Sequence, residues 1–170
     1  MTVIGPPASW DEACARIVDA YARTTAPIAG DISQLEVAID KLRMQCQSSV
    51  SVVEPDLNPL LFRAIGRESC GHLKSLGKWD QHGINTLLVS KQHDYGHQNI
   101  ATFGLFGLVV RLSDKVARLR NLYGRDSARN ESIIDTWSDL FGYSVIAEMW
   151  MDGTFHLDLA GEASDAGADA

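Results

Sequence analysis

The sequence predicts an all-α protein, a helical bundle of about five to six helices followed by a disordered acidic C-terminal tail. Three observations lead there. Apolar residues recur three and four positions apart in several windows, helix-start signals precede those windows, and the alternating pattern of strands is almost absent. The composition agrees: of 170 residues, 45% are hydrophobic and 22% charged, close to globular averages and enough for one core.

Ser9-Trp10-Asp11-Glu12 fits a capping box, and it predicts a first helix over residues 10–23. Pro27 and Gly30 punctuate the chain before Asp31, a candidate N-cap for a second helix to about Cys46, with Leu35, Ala38, Ile39 and Leu42 on one face. Residues 47–54 are polar and β-branched with no partner run nearby, so they read as a linker. Asn58-Pro59 is a cap followed by proline at the first helical position, where its missing N–H costs nothing, and a third helix can run to about Leu76. Residues 79–83 look like a turn, and a shorter helix over 84–91 precedes a turn at Asp94-Tyr95-Gly96. The two strongest helices come last, over 100–122 and 131–151, joined by a polar loop containing Gly124. After Leu159 the chain is Ala, Gly, Asp and Glu with one Ser, and reads as disordered.

Charge excludes some functions. With 22 acidic and 15 basic residues the net charge is −7, so capture of nucleic acid by the whole surface is not expected, and an anionic substrate needs a local basic patch or a metal. Cys14, Cys46 and Cys70 form no CxxC pair, which points to a reducing, cytoplasmic setting. Asp11 and Glu12 interrupt any secretory apolar run. The longest uncharged central stretch, residues 98–110, is shorter than the roughly 20 residues of a spanning helix, so no membrane is expected. P-loop, GxGxxG and G-x-S-x-G signatures are absent.

Chemistry concentrates in three clusters. On the 100–122 helix, Leu105, Leu108, Leu112, Val116 and Leu119 form an apolar stripe bordered by Arg111, Asp114, Lys115 and Arg118. Those charges suit either local ion pairs, Arg111 to Asp114 and Asp114 to Arg118, or a site. On the last helix Glu131, Asp135 and Asp139 stand four apart in one row beside apolar surface, and like charges so placed repel. Either the basic row of the preceding antiparallel helix or a divalent cation would compensate them, and magnesium suits a few carboxylates with water and phosphate. Glu131 and Asp135 also lie where a helix dipole favours acids. The third cluster runs from Lys91 to His97. A His93–His97 zinc pair would need continuous helix, so a loop in which Tyr95 stacks on a base and Asp94 accepts hydrogen bonds fits better, beside a plain C-cap at Gly96. The tryptophans and the lone His72 and His82 read as packing or ordinary polar positions.

The order Lys91, His93-Asp94-Tyr95-Gly96, Gly104, Gly107, Arg111, Asp114-Lys115, Arg118, Asn121-Leu122, Glu131-Ser132, Asp135, Asp139-Leu140, Tyr143 resembles the nucleotide-modification-associated helical domain of phages and some bacteria. The likeness covers residues 86–149. It implies a nucleotide-handling core (86–151) after an N-terminal helical extension (1–85), with a part in nucleotide supply or modification and no direct DNA sequence reading, in the cytoplasm of the cell or of a phage host; the composition adds a flexible tail (152–170). The layout is more distantly similar to the MazG-like all-α nucleotide pyrophosphohydrolases, whose ExxE and ExxD helices hold magnesium over a nucleoside triphosphate. Here the acids are spaced four apart instead. The implied activity is magnesium-dependent hydrolysis of a (deoxy)nucleoside triphosphate. In that reading Asp114, Glu131, Asp135 and Asp139 hold the metal, Glu131 and Asp135 serve the chemistry, and Arg111, Lys115 and Arg118 neutralise phosphate. Lys91, His93, Asp94 and Tyr95 would contact the nucleotide. The alternatives are a non-catalytic binder that sequesters a nucleotide or second messenger, a scaffold for a nucleotide-modifying enzyme, and a homo-oligomeric structural domain.

Overall fold

The last long helix is apolar on most of its circumference, and a helix of that kind belongs in the middle of a bundle. In the computed structural model, which describes residues 5–24, 31–51, 54–123 and 132–161, it takes that place. The described elements are α1 (Trp10–Ala22), α2 (Ser33–Ser48), α3 (Pro59–Ser75), α4 (Gln81–Tyr95), α5 (Gln98–Ala101), α6 (Gly104–Leu122), α7 (Ile133–Asp152) and a 3-10 turn (Thr154–His156), with no strand among them. The all-α class holds, with seven α-helices among the described residues where about five to six were expected. None of them is long and apolar enough to cross a membrane.

Helix α7 buries Trp137, Leu140, Phe141, Val145, Ala147 and Met149, and α3 runs along it as the most extensive pair. The α3 stripe of Phe62, Ile65, Cys70 and Leu73 supplies the other half of that contact. Against them pack α6, through the predicted Leu105, Leu108, Leu112, Val116 and Leu119, and α2, through Leu35, Ala38, Ile39 and Leu42. Helix α1 closes the bundle beside α4, and Lys74 of α3 caps it by donating to the carbonyls of Tyr21, Ala22 and Thr24 at 3.3, 2.8 and 3.1 Å. Buried side chains from both halves of the chain form one cluster.

Local signals set most boundaries. Ser9 accepts from Glu12 N, although Glu12 reaches back to Ala8 N and not to Ser9. Asn58 accepts from Leu60 N with Pro59 at the first position. Asp31 accepts from Ser33 N at 2.9 Å, but the N-cap position is Ile32. Three expectations change. Helix α4 starts at Gln81, capped by Asp80, and continues through Asp94 and Tyr95 before Gly96 turns out of it at φ +62°, so the turn begins two residues later than expected. The helix expected over 100–122 is broken after Ala101, and α6 begins at Gly104 with φ +50°, a conformation that suits glycine. Beyond Asp152 the chain is docked: Phe155 is fully buried, Leu159 nearly so, Trp10 N donates to Asp158 O and Ala160 N to Asp11. A flexible tail from residue 152 therefore does not describe residues up to 161. The remaining residues of that tail, like Glu131 and the loop around Gly124, lie outside the described residues.

Candidate functional site

Helices α6 and α7 are antiparallel, and their charged rows face each other in register. Arg111 lies over the Tyr143 ring with its carbon 5.8 Å from the centroid, Lys115 reaches Asp139 Oδ2 at 2.6 Å, and Arg118 donates to Ser132 O at 3.3 Å and to Thr136 Oγ1. As the α6 numbers rise the α7 numbers fall. Helix α4 approaches the same face from the other side: Lys91 Nζ donates to Asp139 Oδ1 at 3.1 Å, and Leu88 lies against Gly142 so closely that a methyl there would meet its Cδ2 at 3.0 Å. Lys91 of α4 and Lys115 of α6 thus converge on one face of α7 at Asp139, with Arg111 and Tyr143 a turn further along it.

Asp139 is the centre of this arrangement. Its side chain is 18% exposed, against 46% for Lys91 and 20% for Lys115, so two cations converge on one shielded carboxylate. Burial pushes its carboxyl up, but the hydrogen bond from Lys115 together with the charge and hydrogen bond of Lys91 outweighs that and holds it below the ordinary carboxylate value. Both oxygens are engaged. Arg111 differs: its guanidinium donates to Asn99 Oδ1 at 3.1 Å and to Asn99 O at 3.5 Å, and no described carboxylate pairs with it.

The other expected site residues are placed elsewhere. Asp135 is exposed and closes a capping box, its Oδ2 accepting from Ser132 N at 3.1 Å and Ser132 Oγ at 2.7 Å while Ser132 Oγ accepts from Asp135 N. Asp114 makes neither expected ion pair and lines a groove toward α2 with Arg43, Cys46 and Gln47. His93 and Asp94 are exposed and touch each other at 3.3 Å, and Tyr95 is exposed one turn beyond Lys91 on the same side of α4. His97 belongs to the scaffold, with Nε2 3.1 Å from Leu157 O and its ring edge-on to Phe155. Among the described residues no three His, Cys, Asp or Glu side chains converge as a metal cradle, and Asp114, Asp135 and Asp139 have separate surroundings. Glu131, the fourth carboxylate of the expected magnesium set, lies outside the described residues.

Asn99 and the aromatic face of Tyr143 escape sequence reasoning as partners of Arg111, because α5 comes near α6 only through the kink at Gly104. So does a second polar cluster on α7, where Glu148 accepts from the Tyr21 hydroxyl and, at 2.9 Å, from Arg63 Nε. A readable signal existed for Glu148, a lone carboxylate in the apolar run Val145 to Trp150. Burial, then the neighbouring Glu148 charge, pushes the Tyr21 phenol well above its ordinary value. No family model, curated protein or solved structure matches this chain.

Proposed function

We propose that this chain binds a phosphate-bearing small molecule of the nucleotide class on the face of α7 where α4 and α6 converge, and holds it without metal-dependent turnover. Arg111 carries the reading. It is preorganised by Asn99 and Tyr143, no described carboxylate neutralises it, and Lys115 stands one turn along the same face. A planar guanidinium so held suits bidentate phosphate contact, and Lys91, reaching in from α4, can bind a second phosphate oxygen beside Asp139. Tyr95, exposed at the open end of α4, offers a ring for a base. The motif order shared with the nucleotide-modification-associated domain points to the same ligand class and to a part in nucleotide supply or DNA modification.

Binding is favoured over hydrolysis because two of the carboxylates expected to hold magnesium have other duties: Asp139 binds two lysines and Asp135 caps α7. Calorimetry with nucleoside mono- and triphosphates, with magnesium and with chelator, tests the reading. Saturable binding that survives chelator and weakens at least tenfold in Arg111→Ala is expected, and tenfold corresponds to about 1.4 kcal/mol. Magnesium-dependent release of phosphate or pyrophosphate, lost in Asp135→Asn, would replace it with the hydrolase reading. No binding by any nucleotide would remove it.

A further inference from the structure

Asp139 and Glu148 are nine residues apart on α7, about two and a half turns, so Glu148 projects from the side opposite Asp139. There α1, α3 and α7 line a concavity of about 570 Å³, within the roughly 300–1,000 Å³ range of small-molecule pockets. One part of its lining is apolar, formed by Ile17 and Ala20 of α1, Pro59 of α3 and Met151 of α7. The rest is the hydroxyl-bearing Tyr21 and Thr24 and the charged Arg16, Arg63, Arg67, Glu148 and Asp152.

Most of those charges already have partners. Arg16 donates to Gly5 O at 2.6 Å and to Glu12 Oε1 at 2.5 Å. Asp152 Oδ1 accepts from Thr154 N at 2.9 Å and from Thr154 Oγ1 at 2.5 Å. Glu148, 12% exposed, has one oxygen on the Tyr21 hydroxyl and the other on Arg63 Nε. That last bond fixes the Arg63 head through Nε and leaves its two terminal nitrogens without a hydrogen bond to any described residue. Arg67, one helical turn along α3, lines the same cavity and makes no hydrogen bond or ion pair with any described residue. The polar capacity left over is therefore cationic donors on one helix, opposite an apolar wall.

From this cavity we infer that the chain has a second binding site, for a small organic anion in which a carboxylate or phosphate group is joined to a short apolar body. Arg63 and Arg67 grip the anionic group, Arg63 being oriented by Glu148, and the apolar body lies against Ile17, Ala20 and Met151. Paired guanidiniums suit the planar, two-oxygen geometry of either headgroup.

Methyl-labelled methionine NMR on the full chain tests this. Met151 lines the cavity, and Met44, 66% exposed on α2, is an internal control. The probes are hexanoate and hexyl phosphate, which separate the two headgroups, with hexylamine and hexanol as cationic and neutral counterparts. At least one anion should shift Met151 saturably at millimolar concentration while Met44 stays put, and Arg67→Ala should weaken that binding at least tenfold. Arg67 is exposed, so this variant keeps the fold, which circular dichroism verifies. Arg111→Ala should leave hexanoate and hexyl phosphate binding unchanged, so failure of the proposed nucleotide site and failure of this site are distinguishable. Equal binding of hexylamine or hexanol, no saturable shift with either anion, or undiminished binding in Arg67→Ala would each overturn the assignment.

Discussion

Replacing Asp139 with asparagine preserves its size and deletes the charge on which α4, α6 and α7 converge. The amide oxygen can accept from one lysine, but the amide nitrogen then faces the other, donor against donor. A shielded hydrogen bond to a charged group contributes about 1.5–3 kcal/mol and a half-exposed ion pair about 0.2–1 kcal/mol. Lys115 belongs to the first class and Lys91 to the second. Relief of the carboxylate's desolvation offsets part of the loss, so Asp139→Asn should destabilise by about 1–2 kcal/mol at pH 7. For a chain of this length that is a fall in Tm of roughly 2–8 °C. The pH dependence has a definite sign. The folded carboxyl lies below its ordinary value of 3.8, so its contribution is complete above that value and disappears as pH falls through the folded one. The gap between wild type and variant should be constant from pH 8 to 6 and close below about pH 4. Urea denaturation followed by tryptophan fluorescence reads both quantities. A variant as stable as wild type at pH 7, or a gap that persists in acid, would refute the convergence of two lysines on this carboxylate.

Gly66→Ala should cost about 1–3 kcal/mol in urea, because the added methyl would meet the Tyr21 hydroxyl at 2.5 Å and its ring carbon at 2.7 Å, and Tyr21 is wedged edge-on against Phe141. Phe155→Ala should cost about 3–5 kcal/mol, since that side chain is fully buried beyond α7, and a loss below 1 kcal/mol would mean that residues 153–161 are not docked in solution. His72 is stacked on Trp137 at 4.0 Å and burial lowers its pKa below 6.5, so its contribution is complete above pH 6.5 and is lost as pH falls through the lower folded value. Wild type should therefore lose stability between pH 7 and pH 5, and His72→Phe, which keeps the stack, should give a flatter profile in the same denaturation series.

Much of the helical layout is written locally. Ser9, Asn58 and Pro59 mark starts because a side-chain oxygen or a missing N–H resolves the orphan amides of a first turn, and this needs no distant partner. The stripes Leu35, Ala38, Ile39 and Leu42 on α2 and Leu105 through Leu119 on α6 are buried as their spacing requires. Spacing also put Arg111, Lys115 and Arg118 on one ridge and Asp135 and Asp139 on another, and the antiparallel turn of the chain made the ridges face.

Which groups actually meet was decided by packing. Sequence alone gives three acids in a row, but not that Asp135 turns back to cap its own helix, that Asp114 looks toward α2, or that Lys91 crosses from α4 to share Asp139 with Lys115. Nor does composition reveal that the segment after Asp152 has a place on α1, because one Phe and two Leu in a short stretch weigh little until a pocket exists to receive them. Periodicity fixes the angle at which a side chain leaves its own helix. Its partner is set by how neighbouring helices are rotated and shifted, and that depends on the whole core at once.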